Sequence, residues 1–212
     1  MIGIIDYGMG NLGSVSNACR FLELDSVIVS KPDEMAACSG LILPGVGAFG
    51  DCMQHLVGHG FTSPVKQWIG ADKPFLGLCL GLQVLFEGSE ESPGVAGLGV
   101  LPGQVQRFRL SRDWKVPQIG WNRVRQARTD CPLFHDVPDE SYFYFVHSFY
   151  AGRTGAAFEA GLTNYGLDYT SVVWQGRMMA CQFHPEKSQK IGLQMLNNFG
   201  RLCAGREVGA LT

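Results

Sequence analysis

Over the first eighty positions, short solid apolar runs alternate with stretches of helical periodicity. Residues 2 to 6 form an apolar run that ends in a glycine-rich segment, Gly8-Met9-Gly10-Asn11-Leu12-Gly13, which predicts a strand and a turn. Leu12, Val15, Cys19 and Leu22 then recur near the helical period, and a second strand is predicted around Ser26 to Val29. Leu41-Ile42-Leu43, stopped by Pro44-Gly45-Val46-Gly47, and Pro74-Phe75-Leu76-Gly77-Leu78 are two further buried runs, with helical stretches near 50–58 and 62–70 between them. Solid apolar strands alternating with helices are what a parallel sheet covered on both faces requires, so an α/β fold is expected.

From about Gly97 the texture changes. Shorter β-like runs at 98–109, 116–125, 141–150, 157–164 and 170–183 are divided by turn residues and read as mixed or antiparallel strands extending the same sheet, with a second subdomain as the alternative. Ile191, Met195, Phe199 and Leu202 fall on one face of a terminal helix.

Composition narrows the class. A chain of 212 residues with 46% hydrophobic and 17% charged positions suits one compact unit, and one domain over 1–212 is expected. A net charge of −2 offers neither a basic footprint for nucleic acid nor a polybasic membrane anchor. The opening Met1 to Asp6 lacks a basic leader and meets an acid early, which points to a cytoplasmic location. Seven cysteines at irregular spacings, with no Cys-x-x-Cys, suggest neither a disulfide framework nor a zinc site.

One cysteine stands apart. Cys79 lies in Gly77-Leu78-Cys79-Leu80-Gly81, between an apolar strand and Leu82 to Glu87, which reads as a helix. A sharp strand-to-helix turn lifts a nucleophile out of the sheet, flanking glycines let the chain fold back, and the helix N-terminus favours the thiolate. The bland alternative is a buried structural cysteine. Attack on an amide also needs a proton donor for the leaving group and a group to orient that donor. His184-Pro185-Glu186 meets both needs, because residues two apart in an extended segment share a side. By itself this tripeptide is an ordinary surface turn; the elbow cysteine gives it weight. The developing oxyanion needs backbone donors, for which Leu80 and either Val46 or Gly47 of the Pro44–Gly47 loop are the candidates.

Gly77-Leu78-Cys79-Leu80-Gly81 together with Gln182-Phe183-His184-Pro185-Glu186 resembles the class I (triad) glutamine amidotransferases. Pro44 to Phe49, Asp6 to Asn11, Tyr144 to Ser148 and His184 to Ser188 are similar, within that family, to the glutaminase subunits of imidazole glycerol phosphate synthase. The resemblance implies a flavodoxin-like three-layer fold and hydrolysis of glutamine to glutamate and ammonia through a Cys79 thioester, with no metal or cofactor. It implies a heterodimer with a (β/α)8-barrel cyclase that uses the ammonia to form imidazole glycerol phosphate and aminoimidazole carboxamide ribotide in histidine biosynthesis. Gln83, Glu91 and Ser148 are then expected to hold glutamine, and Asn11, Trp121, Tyr144, His147 and Lys187 to face the cyclase.

Rival readings are an amidotransferase for another acceptor, such as a surface-sugar pathway, a related cysteine hydrolase, a non-catalytic binding protein, or a dinucleotide-binding protein. The last matches Gly8-Met9-Gly10-Asn11-Leu12-Gly13, but the second strand runs into Ser30, Lys31 and Pro32 where an acidic residue belongs. His55 and His59 have metal-like helical spacing without the accompanying glutamate.

Overall fold

A computed structural model describes residues 1–206; residues 207–212, the end of the expected 1–212 domain, lie outside the described residues. The elements run β1 (Ile2–Ile5), α1 (Leu12–Phe21), β2 (Ser26–Val29), β3 (Gly40–Gly45), α2 (Phe49–Gly58), α3 (Thr62–Gly70), β4 (Phe75–Cys79), α4 (Leu80–Gln83), β5 (Gly88–Ser89), β6 (Gln104–Arg107), β7 (Gln118–Gln126), β8 (Ser141–His147), β9 (Phe149–Ala151), β10 (Glu159–Asn164), β11 (Asp168–Gln175), β12 (Met178–Cys181) and α5 (Gln189–Cys203).

Nine strands follow the order β2-β1-β3-β4-β12-β11-β10-β7-β8. The first five pair in parallel, which is the flavodoxin-like order with β12 in the fifth place. From β12 onward the pairings are antiparallel, as the change of texture at Gly97 predicts. Alternate side chains enter opposite cores. Ile4, Ile42, Leu76 and Leu78 pack on one face with Val15 and Cys19 of α1 and Met195 and Phe199 of α5. Ile5, Leu41, Leu43 and Phe75 pack on the other with Phe49, Cys52 and Leu56 of α2 and Val65 and Trp68 of α3. Each such buried side chain contributes roughly 2 kcal/mol. Among the described residues, no helix is long and apolar enough to cross a membrane.

Three sequence expectations need correction. The helix over Leu82–Glu87 is a single turn that ends at Gln83, because the next carbonyls bond elsewhere: Val84 accepts from Leu98 at 2.7 Å, Leu85 from Val100 at 2.8 Å and Phe86 from Gly99 at 3.1 Å. Those bonds hold the segment before β6 as a loop, so the 98–109 run yields only four strand residues. The 170–183 run is two strands, β11 and β12, reversed at Gly176 with φ +57°.

Candidate active site

Parallel order puts the C-terminal ends of β3, β4 and β12 side by side, with Gly45 opposite Cys79 and Leu78 opposite Cys181. The Val46–Gly47 loop, the Cys79 elbow and the His184 segment therefore leave the same sheet edge, where α/β folds bind ligands. Residues remote in the chain meet there because strand neighbours are set by topology.

Cys79 has φ +54° and ψ −106°, a strained conformation for a residue with a Cβ. The flanking glycines make that turn possible by close approach. A Cβ on Gly77 would run into the carbonyl of Gly81, and one on Gly81 into the carbonyl of Leu43. Leu80, directly after Cys79, opens α4, so its N–H has no acceptor within that helix. Gly47 holds φ +95° and, with Val46 and Leu80, lines the same cavity as Cys79.

His184 Nδ1 lies 2.8 Å from Glu186 Oε1, and both side chains are buried. Burial opposes charge on this imidazole. Hydrogen bonding to Cys79 and Glu186 and their charges nevertheless outweigh it and raise His184 from 6.5 to about 10. Ser188 fixes the segment by donating its hydroxyl to the His184 carbonyl at 2.6 Å and accepting the Tyr144 N–H at 3.0 Å. Gln182 donates from Nε2 to Cys79 Sγ at 3.7 Å and accepts from Gln83 Nε2 at 3.0 Å.

A cavity of ≈ 340 Å³ opens at this edge. Cys79, His184, Val46, Gly47, Leu80, Gln83, Glu91, Ser148, His147 and Lys187 all line it. Glu186 stands behind His184, while Asn11, Trp121 and Tyr144 are outside the lining. Gln83 spends its amide hydrogens on Phe149 O and Gln182 Oε1, both at 3.0 Å, so its carbonyl oxygen is what remains for a ligand. Glu91 accepts the Phe49 N–H at 2.8 Å at the start of α2 while also facing the cavity.

The residues expected to face a partner divide. Trp121 is exposed and meets the half-buried Tyr144 edge-on, with ring centroids 6.0 Å apart. Lys187 is exposed, and Asn11 caps α1 by accepting the Ser14 N–H at 3.1 Å. His147 is corrected: the alternation of β8 turns it inward, where Nδ1 lies 2.7 Å from Phe149 O and Nε2 3.2 Å from Tyr169 Oη. Gln182, Ser188, Pro117 and Val146 belong to the site or its scaffold without having been singled out. Gln182, Val146 and Ser188 lie within the segments that carry the resemblance, but contacts such as Gln182 with Cys79 and Ser188 with Tyr144 join residues distant in sequence, and nothing local marks Pro117.

Two minor expectations also meet the geometry. His55 Nδ1 and His59 Nδ1 are engaged by the carbonyls of Tyr7 and His55, at 3.1 and 2.9 Å. In the glycine-rich segment, Gly10 lies against Pro44, and Gly13 faces open space instead of the close helix–strand contact that a dinucleotide fingerprint needs.

Fold and cavity describe an α/β protein with an elbow cysteine facing a carboxylate-bound histidine, and comparison with known proteins supplies the class: residues 3–202 match the family Glutamine amidotransferase class-I. Imidazole glycerol phosphate synthase subunit HisH of Desulfitobacterium hafniense (strain DSM 10664 / DCB-2) is 47% identical over 95% of this chain and 94% of its own length. Proteins of the same name from Bacillus cereus (strain G9842) and Synechococcus elongatus are 42% and 44% identical, covering 94% and 93% of this chain and 93% and 91% of theirs. The chain belongs to the HisH family of class-I glutamine amidotransferases. Among solved structures, a glutamine amidotransferase has TM-score 0.74 at 18% identity, covering 96% of this chain and 98% of its own, a likeness of fold alone.

Proposed function

We propose that the protein is the glutaminase subunit of an imidazole glycerol phosphate synthase, acting as one amidotransferase unit in the cytoplasm. The carrying observation is the strained Cys79 elbow facing the His184–Glu186 pair across one cavity. Cys79 attacks the side-chain amide carbon of glutamine as a thiolate, and the carbonyl electron pair moves onto oxygen. The N–H groups of Leu80 and of Val46 or Gly47 receive that oxyanion. The carbon–nitrogen bond then breaks, and His184 gives its proton to the departing ammonia, leaving a thioester. Water attacks the thioester as His184 takes its proton back, the thiolate leaves, and glutamate carries away the added oxygen. Glu186 orients the imidazole and stabilises its charged form. The Gln83 carbonyl and Glu91 carboxylate suit the α-ammonium of glutamine, and Ser148 closes the cavity.

A barrel cyclase is the proposed partner. On β7 and β8, cross-strand partners Ile119 and Val146 and neighbouring Trp121 are 62%, 37% and 46% exposed, and Val146 reaches the cavity rim. Exposed apolar clusters of this kind suit docking. A docked synthase also keeps ammonia from being protonated in water before it reacts. Trp121, Tyr144, Lys187 and Asn11 are assigned to that side. The seven free cysteines agree with a reducing compartment.

The test is a glutamine assay of wild type and Cys79→Ala, each with and without a cyclase and its nucleotide. Slow turnover alone, a large gain in the complex and loss of both on Cys79→Ala are expected. Equal turnover with and without partner contradicts the coupling, and an active Cys79→Ala contradicts the mechanism.

A further inference from the structure

The oxyanion loop is held from beneath by a side chain that stands in for a missing strand neighbour. Pairing of β1 with β3 ends at Ile4 opposite Ile42, whereas pairing of β4 with β3 continues to Cys79 opposite Gly45. The last residues of β3 therefore lose their backbone partner on the β1 side just before Val46 and Gly47. Tyr7 fills that place: its hydroxyl, fully buried, donates to the Pro44 carbonyl at 2.9 Å. Two residues of α2 meet it. Cys52 Sγ donates to the Tyr7 hydroxyl at 3.3 Å, and His55 Nδ1 meets the Tyr7 carbonyl at 3.1 Å. Burial, and then the neighbouring Cys52, raise the phenol far above its ordinary range, so it remains a donor throughout the working pH. On the other side Gly45 is pressed against Leu80, where a Cβ would come within 2.7 Å of the Leu80 Cβ.

We infer that Tyr7 is a positioning residue for the reaction: its hydroxyl fixes the Pro44 carbonyl and thereby the direction in which the following amides of Val46 and Gly47 present their N–H groups to the oxyanion. The inference rests on the glutaminase reading above. Tyr7 does not line the cavity, so its effect falls on the charged transition state more than on substrate capture.

The experiment compares wild type, Tyr7→Phe and Cys52→Ala in complex with the cyclase and its nucleotide, reading kcat and KM for glutamine, thermal melting and the rate of Cys79 alkylation by iodoacetamide. Alkylation builds no oxyanion and reports the nucleophile alone. For Tyr7→Phe, kcat falls about tenfold, less than the loss of a whole oxyanion donor, while KM stays within about twofold. Its alkylation rate is unchanged. Cys52→Ala leaves the Tyr7–Pro44 bond in place and keeps kcat within about twofold of wild type. An unchanged kcat in Tyr7→Phe overturns the inference, as does an equal loss in Cys52→Ala, which marks general loosening of the core. A parallel fall in alkylation also overturns it, because the defect then lies at the cysteine. A wild-type complex with no glutamine turnover overturns the glutaminase reading and this inference together.

Discussion

Two buried histidines, 5% and 6% exposed, line one cavity and are shifted in opposite directions. His184, after β12, is raised to about 10, whereas His147, at the end of β8, is lowered to about 4. Burial pushes both down. Cys79 and Glu186 reverse its effect at His184, while His147 gains only the Phe149 carbonyl and feels the charge of His184 as a further opposition. The pair therefore teaches that the neighbours of an imidazole, and not its depth, decide whether it can serve as a proton donor.

The most severe way to break the contrast is to delete its charged member. His184→Asn removes the proposed proton donor and is expected to lower glutamine turnover by about 10⁵- to 10⁶-fold, near the effect of losing the proposed nucleophile. His147→Asn is expected to keep turnover within about tenfold, since its side chain is committed to scaffold bonds. Steady-state assays of both variants check the asymmetry. Equal losses contradict it.

A milder change separates the carboxylate from the ring it orients. Glu186→Gln keeps the shape but loses the charge, and turnover is expected to fall about 10²- to 10⁴-fold. It also bears on pH. In the wild type, turnover is expected to decline on the alkaline side as His184 loses its proton near pH 10, and in Glu186→Gln that limb is expected to move to lower pH. The sign for stability follows from the same shift. A folded value raised above 6.5 means that the stability from this group is fully present below pH 6.5 and is lost as pH rises through about 10. An alkaline limb unmoved by Glu186→Gln contradicts the coupling.

The same contrast marks how far the sequence could be read. Apolar runs located β1–β4 and helical spacing located α1–α3 to within a residue or two, because each buries a repeating face against the sheet. The Cys79 elbow and the His184–Glu186 spacing were legible for a similar reason, as both are local patterns. The short α4 and the 98–103 loop were not, since carbonyls of residues 84–86 bond to a segment more than a dozen positions later. The resemblance implies that His147 faces the cyclase, whereas the alternation of β8, in register with β7, turns its side chain inward. Gln182, Ser188 and Tyr7 lie in segments that carry the resemblance, yet their supporting roles depend on partners at least 37 residues away, which those segments do not show.

His147 supplies the next test, in acid. Its lowered value means that the folded protein prefers the neutral ring, so the associated stability is present above pH 6.5 and is lost as pH falls toward about 4. The loss amounts to roughly 3 kcal/mol over that window. His147→Asn preserves a donor toward Phe149 while removing the titrating ring. Denaturant melts at pH 7 and pH 4.5 are expected to show a smaller acid-induced loss in this variant than in wild type.

The smallest effect lies one residue further out. A neutral His147 that donates Nδ1–H to Phe149 needs a donor at Nε2, and the Tyr169 hydroxyl at 3.2 Å is that donor. Tyr169 in turn stands 3.0 Å from the Gln118 amide, whose buried Nε2 otherwise has no partner among the described residues. Turning the amide so that Nε2 donates to the hydroxyl frees Tyr169 to donate to His147 Nε2, completing the chain Gln118, Tyr169, His147, Phe149, and puts the Gln118 carbonyl oxygen in the unpartnered place. Tyr169→Phe breaks the chain in the middle and is expected to cost about 1 to 2 kcal/mol of stability at pH 7. Glutamine turnover is expected to stay within about twofold, because the His184 side of the cavity is untouched. A large loss of turnover in Tyr169→Phe with normal melting places the His147 chain in the chemistry and ends the division of labour between the two histidines.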